Sequence, residues 1–102
     1  MPLIASAAST FDVAHFREQN TDIIAVVLPS KVNAYPSSDK KALHTSFEKC
    51  ARSARMSGNV VMVWPKSNGA MGWYGPTRWS NFMNSLNMKW IKARVNKELT
   101  CS

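Results

Sequence analysis

The sequence predicts an α/β fold: a small two- or three-layer sandwich in which two helices pack on a mixed sheet, in the order β-β-α-β-β-α-β. Two unbroken apolar runs, Ile23–Leu28 and Val60–Trp64, are typical of strands that are covered on both faces. A segment with helical spacing separates them, which predicts parallel strands joined by a crossover helix. With 102 residues, 45% of them apolar, the chain fills one core. We expect a single domain over residues 1–102, with residues 1–10 as a loose N-terminal arm.

The first half of the chain supplies two strands and a helix. A strand over Val13–Gln19 would place Val13, His15 and Arg17 on one side and Ala14, Phe16 and Glu18 on the other. This arrangement predicts an edge strand, and Ile23–Leu28 then forms the central strand. Apolar residues recur at helical spacing over Leu43–Ala54, and Gly58 lies just past that stretch. This pattern predicts an amphipathic helix with a basic outer face.

The second half begins with a hairpin signal. Asn68-Gly69 lies between Val60–Lys66 and Ala70–Tyr74, and this dipeptide favours a tight turn in which both residues take positive φ. Thr77 is then available as the N-cap of a short second helix. The apolar side chains of that helix recur at helical spacing, namely Trp79, Phe82, Met83 and Leu86.

Residues 88–99 are compatible with two structures. An extension of the second helix would place Trp90 on the same face as Leu86, whereas a strand would place Trp90 on a polar face among cations. Ile91 is β-branched, and Asn87 is a poor residue for a helix interior but a fair C-cap. We therefore predict the strand.

Positive charge is concentrated in the later part of the chain. The 13 lysines and arginines exceed the 6 acidic residues, giving a net charge of +7. Such a field favours polyanions, anionic membrane surfaces or an acidic protein partner. Helix electrostatics alone can explain Arg52 and Arg55, and a purely solubilising role for the charge stays open. Between Glu48 and Glu98 there is no acidic residue, and the basic residues there are Lys49, Arg52, Arg55, Lys66, Arg78, Lys89, Lys92, Arg94 and Lys97.

The cysteines and the opening segment bear on the compartment. Cys50 and Cys101 are too few to suggest a disulfide framework, so we expect free thiols, with Cys50 buried on the apolar stripe of the first helix. The opening Met1–Ala8 stretch lacks the basic and apolar regions of a signal peptide. No apolar run approaches the ~20 residues that a bilayer crossing needs. These features predict a cytoplasmic localisation.

The sequence lacks the motifs of common enzyme and metal sites. Ser30–Ser38, which leads into the first helix, holds no glycine with which to cradle a phosphate. The only histidines are His15 and His44, and His44 lies one helical turn before Glu48, which predicts a surface ion pair and no metal site. No HExxH, CxxC or GxSxG pattern occurs, and six acidic residues offer little for acid–base catalysis. We expect no enzyme, no cofactor and no metal.

One stretch combines aromatic and basic side chains. The chain between Lys66 and Arg78 is punctuated by glycine, and the adjacent Trp73 and Tyr74 point to opposite faces of a strand. One of the two is therefore expected on the side away from the core, unless a second layer covers it. The predicted last strand would also display an indole among cations. The candidate binding residues are Lys66, Trp73, Tyr74, Arg78, Trp90, Lys92 and Arg94.

This combination of side chains suggests a type of partner. Aromatic side chains flanked by cations can stack unpaired bases while the cations follow the phosphates. The sequence favours a non-enzymatic binding domain for nucleic acid, and single-stranded or structured RNA over duplex DNA, since the aromatic residues and the predicted sheet outweigh any helix-turn-helix signal. The alternative is a protein-interaction or homo-oligomerisation module, such as a homodimer formed through the hairpin aromatics or the edge strand Val13–Gln19. The four tryptophans also suit the core of a small domain.

Overall fold

A computed structural model describes residues 9–101. A five-stranded mixed sheet is covered on one face by a long helix and on the other by short helices, which confirms the predicted α/β sandwich in its three-layer form. The strands are β1 (Ser9–Glu18), β2 (Thr21–Val27), β3 (Asn59–Pro65), β4 (Met71–Tyr74) and β5 (Lys97–Cys101). The helices are α1 (Ser37–Ser53), α2 (Ser80–Asn84) and α3 (Met88–Lys92), with 3-10 turns at Ser30–Ala34 and Thr77–Trp79.

The order of strands across the sheet is β4-β3-β2-β1-β5, and only β2 and β3 run parallel. α1 connects these two strands, so the predicted crossover is confirmed, and β2 is the central strand as predicted. The residues from Ile23 to Val26 are all buried, because helices lie over both faces of this strand.

β1 is an inner strand, so the prediction of an edge strand at Val13–Gln19 is wrong. Its later part, Val13–Glu18, pairs with β2, and its earlier part, Ser9–Val13, pairs with β5. Ser9 and Thr10 therefore belong to the sheet and not to a loose arm, and residues 1–8 lie outside the described part of the chain. The edge strands of the described sheet are β4 and β5.

The hairpin turn with two positive φ angles occurs where β1 meets β2. Gln19 and Asn20 form this two-residue turn with φ of 50° and 62°, a conformation that matches the twist of paired strands. In the β3–β4 loop only Gly69 has a positive φ, of 87°, so the prediction that Asn68 shares it is wrong. Asn68 acts through its side chain instead, because its Oδ1 accepts a hydrogen bond from the Ala70 N–H at 3.0 Å.

Each face of the sheet has its own apolar core. On one face, Leu43, Phe47 and Ala51 of α1 pack against β2 and β3. On the other, Trp79 and Ile91 pack against the same two strands. β2 and β3 contribute to both cores because successive side chains of a strand point to opposite faces.

Residues 88–99 form neither a single strand nor an extension of the second helix. α2 ends at Asn84, α3 begins as a separate helix at Met88, and β5 begins only at Lys97. Asn87 is the N-cap of α3, and its Oδ1 accepts a hydrogen bond from the Trp90 N–H at 2.8 Å. The strand prediction is wrong because burial of Ile91 against the sheet outweighs the β preference of its branched side chain.

A disulfide joins Cys50 of α1 to Cys101 of β5, so the prediction of free thiols is wrong. The two Cα atoms lie 5.7 Å apart, although 51 positions separate the cysteines in the sequence. Pairing of β5 with β1 brings Cys101 to the face of the sheet that α1 covers, and sequence spacing does not reveal this proximity. The bond ties the longest helix to the edge of the sheet.

The predicted helical stretch ends at Ala54, and α1 ends at Ser53 with Ala54 as its C-cap. Arg55, and not Gly58, then takes the left-handed conformation that follows the helix, with φ of 61°. The Met56 N–H donates a hydrogen bond to the Ala51 carbonyl at 2.9 Å, as in a Schellman motif. Glycine adopts this backbone conformation without the steric cost that a Cβ brings.

Arg55→Gly is therefore expected to raise the free energy of unfolding by about 1 kcal/mol, measured by urea denaturation. Arg55→Ala removes the same charge but keeps the Cβ, and we expect it to stay within about 0.5 kcal/mol of the wild type. Equal stabilisation by both variants would attribute the gain to loss of the charge and not to the backbone.

Candidate functional site

The seven predicted site residues do not lie on one side of the sheet. Tyr74 faces α1 and lies beside His44, with 5.5 Å between the ring centroids. Lys66 is exposed in the β3–β4 loop. The other five lie on the opposite side of the sheet or in the helices that cover it, namely Trp73, Arg78, Trp90, Lys92 and Arg94.

The two hairpin aromatics point to opposite faces, as the alternation predicts, but a helical layer covers each face. Trp73 is half-buried, and its Nε1 donates a hydrogen bond to Asn84 Oδ1 at 2.8 Å. This bond holds β4 against α2. Tyr74 is half-buried as well, so Trp73 and Tyr74 do not form a common exposed platform.

A different set of aromatic rings comes together beside α2 and α3. Phe82 lies between two indoles, with ring centroids 6.3 Å from Trp79 and 6.0 Å from Trp90. Phe16 of β1 joins them edge-on, 5.2 Å from Trp90. Trp79 is buried, whereas the other three rings are half-buried and reach the surface. Trp79, Phe82 and Trp90 therefore form a continuous aromatic row, and Phe16 packs beside Phe82 and Trp90.

An arginine stacks on the tryptophan at each end of this row. The Arg94 Cζ lies 3.7 Å from the Trp90 ring centroid, and its Nη1 donates a hydrogen bond to the Trp90 carbonyl at 3.2 Å. The Arg78 Cζ lies 4.6 Å from the Trp79 ring centroid. Both arginines are exposed, and such cation–π contacts favour a fixed guanidinium orientation. We call the surface formed by Phe16, Arg78, Trp79, Phe82, Trp90 and Arg94 the aromatic face.

The helical form of α3 changes which predicted residues belong together. Arg94 follows Trp90 by four positions and reaches back over its ring. Lys92 follows Trp90 by two positions, which places it on the other side of the helix. Sequence reasoning missed Phe16, Trp79 and Phe82 as part of this surface. The helical spacing from Trp79 to Phe82 was a signal that these two lie together, but nothing local linked Phe16 to either.

Neither arginine of the aromatic face, Arg78 or Arg94, forms an ion pair in the described part of the chain. Arg17, by contrast, is paired with Asp22, with Nη1 and Oδ1 2.9 Å apart. The two stacked guanidiniums are therefore available to an anionic ligand.

The histidines occupy structural positions. The predicted contact is present, with His44 Nδ1 3.8 Å from Glu48 Oε1, but the imidazole is largely buried and not at the surface. Its other ring nitrogen, Nε2, lies 2.7 Å from the Val60 carbonyl oxygen. His15 Nε2 lies 3.3 Å from the Ser57 carbonyl oxygen. In the part of the chain that the structure describes, no three His, Cys, Asp or Glu side chains are grouped to hold a metal ion.

None of the helices between residues 9 and 101 combines the length and the apolar character that crossing a membrane requires. No protein-family model, curated protein or solved structure matches this protein.

Proposed function

We propose that the chain is a non-enzymatic binding domain for single-stranded or structured nucleic acid, and that the aromatic face is its contact surface. The observation that carries this proposal is the pair of exposed arginines, Arg78 and Arg94, each stacked on a tryptophan and each without an ion-pair partner in the described residues. Such a pair unites planar stacking groups with positive charge that no ion pair neutralises.

The chemistry of binding follows from the position of the guanidinium groups. One face of the Arg94 guanidinium lies on the Trp90 ring, so its outer face is free to stack on a base, and its N–H groups can donate to phosphate oxygens. Because the indole and the Trp90 carbonyl already restrict this side chain, less conformational entropy is lost on binding. Arg78 on Trp79 repeats the arrangement at the other end of the row.

The shape of the aromatic face favours unpaired bases over a duplex. The helices on this side are five residues long, too short to lie along a major groove, and half-buried rings offer apolar surface between the two arginines. Stacking of this kind tolerates any base, so we expect weak sequence preference.

The proposal predicts a specific loss of affinity. Arg78→Ala/Arg94→Ala should weaken binding of a fluorescent single-stranded 15-mer about 30-fold, at about 1 kcal/mol for each stacked base. The slope of log affinity against log salt concentration should also be less negative than that of the wild type by about 1.4, because two phosphate contacts are lost. Anisotropy titrations at several salt concentrations measure both quantities.

The matched control removes two cations elsewhere. Lys31 and Lys97 are exposed and lie outside the aromatic face, and Lys31→Ala/Lys97→Ala lowers the net charge by the same amount. This control should bind within about threefold of the wild type. Equal losses in both variants, a salt-insensitive titration, or no binding by the wild type would contradict the proposal.

A protein-interaction or homo-oligomerisation role is the second candidate, and the exposed edge strand β5 favours it. An unpaired strand edge can pair with a second copy or with another protein, and an acidic partner would suit the net charge of +7. Light scattering tests the homodimer, because self-association gives a mass above 11.4 kDa. A monomer mass at high concentration would contradict it.

The predicted cytoplasmic localisation now has less support. It rested in part on free thiols, and the Cys50–Cys101 disulfide is of the kind that persists in oxidising compartments. Thiol labelling of the protein extracted from its own cells under acid quench would decide between the two compartments.

A further inference from the structure

A second cationic surface lies on the opposite side of the sheet, on the outward side of α1. The exposed residues Lys41, Lys49 and Arg52 recur there at helical spacing. They lie opposite the buried stripe of this helix, which packs on the sheet. We call these three residues the α1 stripe.

The carboxylates of α1 do not form ion pairs with the stripe. Glu48 lies one turn before Arg52 but is turned toward His44, 3.8 Å from its Nδ1, and Asp39 lies in the first turn, where a negative charge favours the helix macrodipole. None of the three cations of the α1 stripe has an ion-pair partner within residues 9–101. The outward side of this helix therefore carries net positive charge.

Helix stability does not account for the whole stripe. The macrodipole favours Arg52, which lies in the last turn, but its effect fades within one turn of either end. Lys49 lies in the interior of the helix, and Lys41 lies in its N-terminal half, where the dipole does not favour a cation. Lys40, by comparison, has an internal role, because its Nζ lies 5.5 Å from the Trp64 ring centroid and donates to the Asn33 carbonyl.

We propose that the α1 stripe binds the phosphate backbone of a second nucleic-acid segment while the aromatic face holds the first, so that one molecule bridges two segments. The inference rests on the proposed function. The two surfaces cannot contact one short oligonucleotide together without wrapping around the sheet, because α1 and the aromatic face cover opposite sides of it. Phosphates are the expected ligand, since the three residues of the stripe offer charge and no aromatic ring.

The thickness of the protein makes simultaneous binding feasible. The shortest extent of the molecule is 23 Å, whereas the screening length is about 8 Å at physiological ionic strength. Two polyanions on opposite sides therefore repel each other weakly, and the net charge of +7 between them attracts both.

Energy transfer between two labelled oligonucleotides tests the bridge. One single-stranded 15-mer carries a donor, another carries an acceptor, and the oxidised full chain is added to their mixture. We expect transfer to rise at substoichiometric protein and to fall when protein is in excess, because each oligonucleotide then occupies its own molecule. Lys41→Ala/Lys49→Ala should reduce the peak transfer at least fivefold, while its affinity for one oligonucleotide stays within about threefold of the wild type. Lys31→Ala/Lys97→Ala is the matched control and should bridge like the wild type.

The outcomes separate the two proposals. Wild-type bridging by Lys41→Ala/Lys49→Ala, or an equal loss in the control, overturns the bridge but leaves binding at the aromatic face intact. If Arg78→Ala/Arg94→Ala binds one oligonucleotide like the wild type, the proposed function itself fails. If the wild type sediments with vesicles containing anionic lipid, the stripe variant does not, and no transfer is seen, the α1 stripe is a membrane contact and the bridge is overturned.

Discussion

Replacing both cysteines, as Cys50→Ser/Cys101→Ser, is expected to lower the free energy of unfolding by about 4 kcal/mol. The value follows from the entropy of closing a loop of 51 positions in the unfolded chain. In a small domain this is a large part of the total stability, which is commonly 5–15 kcal/mol. Urea denaturation of the oxidised wild type and of the variant measures the difference directly.

Reduction provides the matched control for this prediction. Dithiothreitol should move the denaturation midpoint of the wild type close to that of the double serine variant and leave the variant unchanged. Coincident curves for the oxidised and reduced wild type would contradict a stabilising disulfide. A single replacement, Cys101→Ser, should destabilise nearly as much as the double one, because either change breaks the bond.

Trp79→Ala is expected to lower the free energy of unfolding by about 4 kcal/mol, an effect as large as that of removing the disulfide. Trp79 is only 1% exposed, and it fills the core between β2, β3 and α2. Its Nε1 also donates a hydrogen bond to Asn59 Oδ1 at 2.9 Å. Alanine would leave a cavity and remove the donor for this amide oxygen. Chemical denaturation measures the stability of the variant.

Trp79→Phe separates packing from hydrogen bonding. Phenylalanine keeps most of the apolar contact but donates no hydrogen bond, so we expect it to cost about 2 kcal/mol. If the phenylalanine variant were as unstable as the alanine variant, the hydrogen bond would account for most of the effect. The phenylalanine variant also keeps a ring beneath Arg78, and it should therefore retain most of its affinity for an oligonucleotide.

The sequence predicted the parts of the fold that depend on local pattern. The apolar runs at Ile23–Leu28 and Val60–Trp64 correspond to β2 and β3, because burial on both faces leaves no polar alternation. The pairing of Ser9–Val13 with Lys97–Cys101 was not predictable in this way, since the two segments lie at opposite ends of the described chain. The disulfide was missed for the same reason.

The errors near the site have a different origin. Asn87 is suited to both ends of a helix, and only its hydrogen bond with the Trp90 N–H identifies it as an N-cap. The strand predicted for residues 88–99 grouped Lys92 with Trp90, whereas α3 brings Arg94 to that ring. The aromatic and basic residue types of the candidate site were therefore predicted from the sequence. Which of these residues lie together depends on tertiary packing.

The position of β1 between β2 and β5 has a consequence for synthesis of the chain on the ribosome. β1 and β2 can form their hairpin early, because a two-residue turn joins them. The outer edge of Ser9–Val13 then stays unpaired until β5 has emerged. During that interval two nascent chains could pair edge to edge, and once β5 has emerged two copies could exchange their β5 strands, which would place Cys101 of one copy beside Cys50 of the other. The edge of β1 that pairs with β5 therefore stays exposed during synthesis until β5 is available.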